Sequence, residues 1–188
     1  MKSMSEFDNK SNEQNNDMSK FDILTYPDIF LSQPTHPLDD IDGKVQEMID
    51  KMALTMYDAP GIGLAAIQVG WDKSVLIYDI SPRDESRSLQ VLINPKVITH
   101  EGEILSENEG CLSVPDFRAD VKRAAYITVE GHDRDGNPLK LDAEGILAIV
   151  LQHEIDHLNG RLFIERISSL KRQMYKRRIK KKISAGSK

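Results

Sequence analysis

Hydrophobic and polar positions along this chain follow two different periods, and each predicts its own kind of element. Between Gly43 and Met56 the residues Val45, Met48, Ile49, Met52 and Met56 recur at the spacings that line one face of a helix. Asp40 or Asp42 can cap its first turn, and Ala59-Pro60-Gly61 stops it. The segments KSVLIYDI (73–80) and LQVLINPKVITH (89–100) are rich in β-branched and aliphatic residues and predict strands, joined by the polar loop SPRDESRS. AAYITVEGHD (124–133) and PLKLDAEG (138–145) predict a hairpin around Arg134-Asp135-Gly136-Asn137. From Glu144 to Leu158 the helical period returns: Ile146, Ile149, Val150, His153 and His157 share one stripe. Gly160 then sits where a left-handed glycine would close the helix. The proline-punctuated FDILTYPDIFLSQPTHPL (21–38) predicts extended or loop structure. The order of elements implies an α+β fold, a mainly antiparallel sheet packed around a central helix, with an N-terminal helix before it and a basic C-terminal helix or tail after it.

Composition narrows the class. The chain has 188 residues, enough for one domain with a real core, and no apolar run approaches a membrane span. Its first twenty residues lack a hydrophobic h-region and carry Glu6, Asp8, Glu13 and Asp17 without an Arg, against a secretory or organellar signal. Residues 1–20 are expected to be a disordered polar extension, residues 21–170 the catalytic domain and residues 171–188 a basic tail; the expected compartment is cytoplasmic. Nine Lys or Arg and no acid lie in 171–188, so the other sixteen basic residues face all thirty Asp and Glu, a balance of −14. An acidic body with a basic tail points to a polyanionic partner, or else to a solvated helix. The lone cysteine, Cys111, excludes an internal disulfide; its plainest reading is a small buried hydrophobe.

Chemistry concentrates in Gln152-His153-Glu154-Ile155-Asp156-His157. Two His four residues apart on a helix project from one face, so both rings can reach one ion, while the Glu between them can touch a metal-bound water without entering the coordination shell. The plainer reading, two satisfied core histidines beside Leu151 and Leu158, leaves two ionisable rings on an apolar stripe. The third ligand is not downstream. In HExxHxxGxxH a third His would follow, but Phe163 stands there, and the last acid, Glu165, is only eight residues past His157. Cys111 is the upstream candidate, in Glu109-Gly110-Cys111-Leu112-Ser113-Val114-Pro115, just past the strand region where Gly110 permits an unusual turn. A thiolate with two imidazoles leaves a tetrahedral ion one open position, which marks a catalytic site.

Gly61-Ile62-Gly63-Leu64-Ala65-Ala66-Ile67-Gln68, Glu109-Gly110-Cys111-Leu112-Ser113 and Gln152–His157 together resemble, in order and rough spacing, the three signature motifs of peptide deformylase. The resemblance covers about residues 22 to 170. It implies removal of the formyl group from the N-terminal formyl-methionine of new polypeptides, by attack of a metal-bound hydroxide, usually with Fe²⁺ as the native ion. Cys111, His153 and His157 would be the metal ligands and Glu154 the general base and acid. The Gln68 amide and the Leu112 N–H would stabilise the oxyanion, Gly63 would hold the peptide through its backbone, and Arg118 would help to hold it. Arg118 sits in Pro115-Asp116-Phe117-Arg118, which departs from the commoner Pro-Glu-Gln-Arg. A methionine-sized pocket would be walled by Ile62, Leu112, Ile149 and Val150, each of which could equally be core packing. The same donors accept Zn²⁺, Ni²⁺ or Co²⁺.

Other readings are weaker. Gly61-x-Gly63-x-x-Ala66 matches a dinucleotide fingerprint, but a helix precedes it and Gly70-Trp71 comes before a helix could develop, so no nucleotide cofactor is expected. A zinc peptidase lacks its downstream ligand. A nucleic-acid-binding or structural metal module would use the basic tail, whose functional reading beside the enzyme is ribosome contact near the exit of the nascent chain. His36, His100, His132 and Trp71 read as surface or packing positions, and no membrane partner is expected.

Overall fold

A computed structural model describes residues 19–82 and 84–186. Most of the extension expected over residues 1–20 therefore lies outside the described residues. Helix α1 spans Gly43–Asp58, and Asp42 rather than Asp40 caps it, its Oδ1 accepting from the Val45 N–H at 3.0 Å. Strands β1 (Gly63–Ala65), β2 (Val75–Tyr78), β3 (Gln90–Glu101), β6 (Tyr126–His132) and β7 (Pro138–Glu144) form a five-stranded sheet in the order β1-β2-β3-β6-β7, every pair antiparallel. Strands β4 (Ile104–Cys111) and β5 (Val114–Arg123) form a separate two-stranded ribbon. Helix α2 (Gly145–Leu158) packs on β1, β2, β6 and β7, and α3 (Ser169–Gly186) closes the described chain.

The expected strands, hairpin and helices are all present, and the fold is α+β. Gly160 closes α2 in the left-handed region, at φ 69°. A Cβ there would also meet the Ser32 carbonyl oxygen at 2.7 Å, so glycine is required twice over. The ribbon was not expected, and it changes the account of Cys111. That residue is the last of β4, paired with Val114 across the turn at Leu112-Ser113, rather than lying past a strand. Nor does Gly110 make the turn, because its backbone is not left-handed. A Cβ there would meet the Arg118 guanidinium at 3.2 Å from Cζ, so glycine lets that side chain lie close over the strand.

Two apolar clusters sandwich the sheet. One joins α2, through Ala148, Val150, Leu151, Ile155 and Leu158, to Leu76, Leu92, Ile127 and Val129. The other joins α1, through Val45, Ile49, Met52 and Met56, to Leu64, Val75, Ile77 and Ile93. A third cluster gathers the ribbon, Leu162-Phe163-Ile164 and α3, which docks through Tyr175 and Ile179, four residues apart on one face. The basic tail is thus a docked helix with its charges outward. Ile146 departs from the expected stripe: it is 53% exposed and stands at the mouth of a cleft. The Gly61–Ala66 segment follows α1 and contains the antiparallel edge strand β1, which runs into a four-residue 3-10 turn (Ala66–Val69) rather than an α-helix, so it is not the first turn of a βαβ unit. No described helix is long and apolar enough to cross a membrane.

Candidate active site and metal centre

Three elements meet at the floor of the cleft. The end of β4 brings Cys111, α2 brings His153 and His157 one turn apart, and the turn after β1 brings Gln68. Donor atoms of Cys111, His153 and His157 lie within 4.8 Å of one another, with Cys111 Sγ 3.1 Å from His157 Nε2. His153 turns its Nδ1 to Glu109 Oε1 at 2.7 Å, which leaves Nε2 as the donor for the centre. A sulfur, two imidazoles and a carboxylate fixing one ring match the donor chemistry and outer-shell support of a tetrahedral divalent site. His157 is fully buried, and its Nδ1 has no partner among the described residues.

Glu154 lies beside this trio, 4% exposed, and its Oε2 has no hydrogen-bond partner among the described residues. Burial, helped by Glu109 and Asp156 and opposed by His153 and Arg123, pushes its carboxyl up to about 7. A group near that value can both take and give a proton at neutral pH. Gly63 explains how the carboxylate fits: a Cβ there would lie 2.5 Å from Glu154 Oε1. Gln68 is held at both ends. Its Oε1 accepts from the Ala65 N–H at 2.8 Å, and its Nε2 lies 3.1 Å from Ser113 Oγ and 3.6 Å from Cys111 Sγ.

The sequence did not reveal how deeply the candidate ligands are supported. The Arg123 side chain is fully buried and reaches Glu109 through Nη2 (2.5 Å) and Nε (3.2 Å), and Asp156 through Nη1 (2.5 Å). Arg166 grips Asp156 from the other side, forming a chain of charges from His153 to the surface. Burial alone would raise the Glu109 carboxyl, but hydrogen bonds from His153 and Arg123 outweigh it and hold it at about 2. Glu109 and Asp156 stood inside the motifs; what could have drawn attention to Arg123 is a charge on the inward parity of Ala119, Val121 and Arg123.

The cleft measures about 690 Å³, within the range of small-ligand sites. It brings together Ile62, Gly63, Gln68, Cys111, Leu112, Arg118, Ile149, Val150, His153 and Glu154 along its walls. His157 is buried behind them.

An HExxH helix completed by an upstream sulfur sets the chain among metal-dependent hydrolases and apart from the peptidases that use a downstream ligand. Comparison with known proteins agrees. The family model for polypeptide deformylase matches residues 20–173. A peptide deformylase of Desulfosudis oleivorans is 55% identical over 166 residues, covering 88% of this chain and 96% of that one. A crystal structure of a peptide deformylase from Legionella pneumophila superposes with a TM-score of 0.82 at 40% identity, covering 90% of this chain and 99% of that one. A class I type b peptide deformylase from Acinetobacter baumannii, solved with Met-Ala-Ser bound, gives 0.76 at 31% identity, covering 80% and 99%. The chain belongs to the peptide deformylase family, metal-dependent hydrolases that remove the formyl group from N-terminal methionine.

Proposed function

We propose that this chain deformylates nascent formyl-methionyl peptides with Cys111, His153 and His157 as metal ligands and Glu154 as proton carrier. What carries the reading is the convergence of three donors within 4.8 Å beside a buried, unpartnered carboxylate on the floor of an open cleft. When bound, a divalent ion supplies Lewis acidity that makes water a nucleophile near neutral pH and polarises the formyl carbonyl. Glu154 takes the proton of the attacking water and delivers it to the departing methionine amine, otherwise a poor leaving group. Gln68 and the Leu112 N–H stabilise the negative charge that develops on the carbonyl oxygen. Ile62, Ile149, Val150 and Leu112 wall the methionine pocket, and Arg118 and the Gly63 backbone hold the peptide.

The edge of the sheet suits an extended substrate. β1 is its terminal strand and borders the cleft, so a peptide can add along Gly63 as one more strand. Fe²⁺ is the proposed native ion, with Zn²⁺, Ni²⁺ and Co²⁺ as substitutes; a thiolate-bound ferrous ion would make Cys111 sensitive to air.

Purification without oxygen, metal analysis and assay on formyl-Met-Ala-Ser test the core of this reading. About one metal per chain is expected in both wild type and Glu154→Gln, with turnover only in wild type. Activity surviving in the variant removes Glu154 from the mechanism, and cleavage of an internal peptide bond favours a peptidase.

The working place proposed is the cytoplasm, at the ribosome. Along α3, Lys171, Lys176, Arg177, Lys180 and Lys181 are exposed and would meet ribosomal RNA phosphates, an attraction that weakens with salt. Replacing these five with Gln should abolish low-salt co-sedimentation with ribosomes; unchanged co-sedimentation would refute the contact.

A further inference from the structure

One lip of the cleft, Val114 to Arg118, is gripped from behind by α3. Asp116 adopts φ 59°, a left-handed conformation that few side chains other than Asn and Asp take readily. Arg178 Nη1 donates to the Asp116 carbonyl oxygen at 3.1 Å, and Lys182 Nζ donates to Asp116 Oδ2 at 2.8 Å. The helix therefore holds the backbone and the side chain of the same residue, from donors one turn apart. The next residue is held by packing. The Phe117 ring lies 4.7 Å from the Tyr175 ring and 6.0 Å from the Phe163 ring, and Tyr175 is 2% exposed. The residue after that is Arg118, whose Nη1 donates to the Asn108 carbonyl at 3.2 Å.

Tyr175, Arg178 and Lys182 are spaced to share one helix face, and that face grips two successive lip residues. Both gripped residues, Asp116 and Phe117, belong to the run that departs from the commoner family pattern. With the lip fixed at 116 and 117, the backbone leading into Arg118, which lines the cleft, is held in place.

We propose that Tyr175, Arg178 and Lys182 are positioning residues for the peptide-binding lip, so that the C-terminal helix sets the affinity for substrate residues beyond the methionine. This rests on the deformylase reading of the cleft. The hydrogen bonds from α3 end at Asp116, whereas the Cys111, His153, His157 and Glu154 side chains are carried by β4 and α2. Tyr175 also packs in the cluster that takes in Cys111, so the separation of peptide holding from proton chemistry is read through Arg178 and Lys182, whose bonds reach the lip.

The test compares formyl-Met-Ala-Ser with formyl-methionine amide, which ends at the first residue, in wild type and in Arg178→Ala/Lys182→Ala. KM for the tripeptide should rise about two- to fivefold, the range that exposed ion pairs can supply. The kcat for both substrates, KM for the amide and the bound-metal content should not change. Adding Asp116→Asn to the double variant should raise KM no further. A merely structural role would instead lower kcat on both substrates or lower metal content, and that result overturns the proposal. So does an unchanged tripeptide KM, or a multiplicative effect of Asp116→Asn, which would mean that Asp116 meets the peptide without help from α3. If the double variant fails to fold, Lys182→Gln alone carries the same comparison. Wild type inactive on both formylated substrates would sink the function reading itself, a separate outcome.

Discussion

Replacing Gly63 with Ala adds one carbon and two hydrogens, yet it should cost this enzyme most of its turnover. The Gly63 backbone is not left-handed, so Ala can keep the same main-chain path. The added Cβ, however, would lie 2.5 Å from Glu154 Oε1, 2.9 Å from Cδ and 3.0 Å from Cγ. Ordinary carbon–oxygen contact begins near about 3.4 Å, so the carboxylate must retreat by roughly 0.9 Å. Glu154 is 4% exposed and has little room to move without displacing its neighbours. A misplacement of about 1 Å in a reacting group can lower a rate about a hundredfold, or about 2.7 kcal/mol of barrier. Steady-state kinetics on formyl-Met-Ala-Ser should show kcat down by about that factor and KM within about threefold, with bound metal unchanged. Shortening the acid with Glu154→Asp in the Gly63→Ala background should cost far less than the same change in wild type, because the clash is relieved. A kcat within about twofold of wild type would refute the reasoning. A raised KM with kcat intact would show that Gly63 acts on the peptide alone.

Two further perturbations test the supports of the site and of the neighbouring loop. Arg123→Met leaves Glu109 and Asp156 without their shared buried partner and should lower unfolding free energy by about 3–5 kcal/mol in denaturant titration, while weakening metal retention against a chelator about tenfold or more. An unchanged midpoint and unchanged retention would show that the charge chain carries neither load. Asp79 is the second case: burial would raise its carboxyl, but bonds from Ser81, Tyr57 and the Ser81 and Ser88 N–H groups outweigh it and hold it at about 2. A folded value below the unfolded one means that its stabilisation is present above about pH 4 and is lost as pH falls through about 2. Tyr57→Phe removes the 2.6 Å donor, so the acid unfolding midpoint followed by circular dichroism should move to higher pH; superimposable curves would contradict this.

Periodicity revealed most of the scaffold because α1, β2, β3, the β6–β7 hairpin and α2 bury apolar residues at regular spacing. The candidate ligands were legible for a different reason: two His at helical spacing and one sulfur are chemically unusual wherever they occur. The β4–β5 ribbon was missed because its inward positions do not read as a strand. Ser106 and Glu109 point inward from β4, and Arg123 ends the inward row of β5, so polar side chains occupy the sites where alternation would show apolar ones. The exposure of Ile146 was missed for the opposite reason. It fits the helical stripe, but the stripe outruns the sheet, and its first residue faces the cleft mouth.

The failure of pattern and the working part of the site coincide because they have one cause. In the proposed centre His153 presents Nε2 to the ion, so something anionic must hold Nδ1; a carboxylate buried in that place must itself be paired, which calls for Arg123; and Arg123 has a second carboxylate within reach in Asp156. The first two requirements put a charge, Glu109 and then Arg123, where the ribbon would otherwise bury a hydrophobe. A fully apolar ribbon would be easier to read and could be as stable, since buried ion pairs often gain little over well-packed hydrophobes. It would leave His153 Nδ1 without the carboxylate that fixes it. The ribbon's charges are therefore better explained by the orientation of one imidazole than by the stability of the fold, and that is why apolar alternation is broken in the element that delivers Cys111.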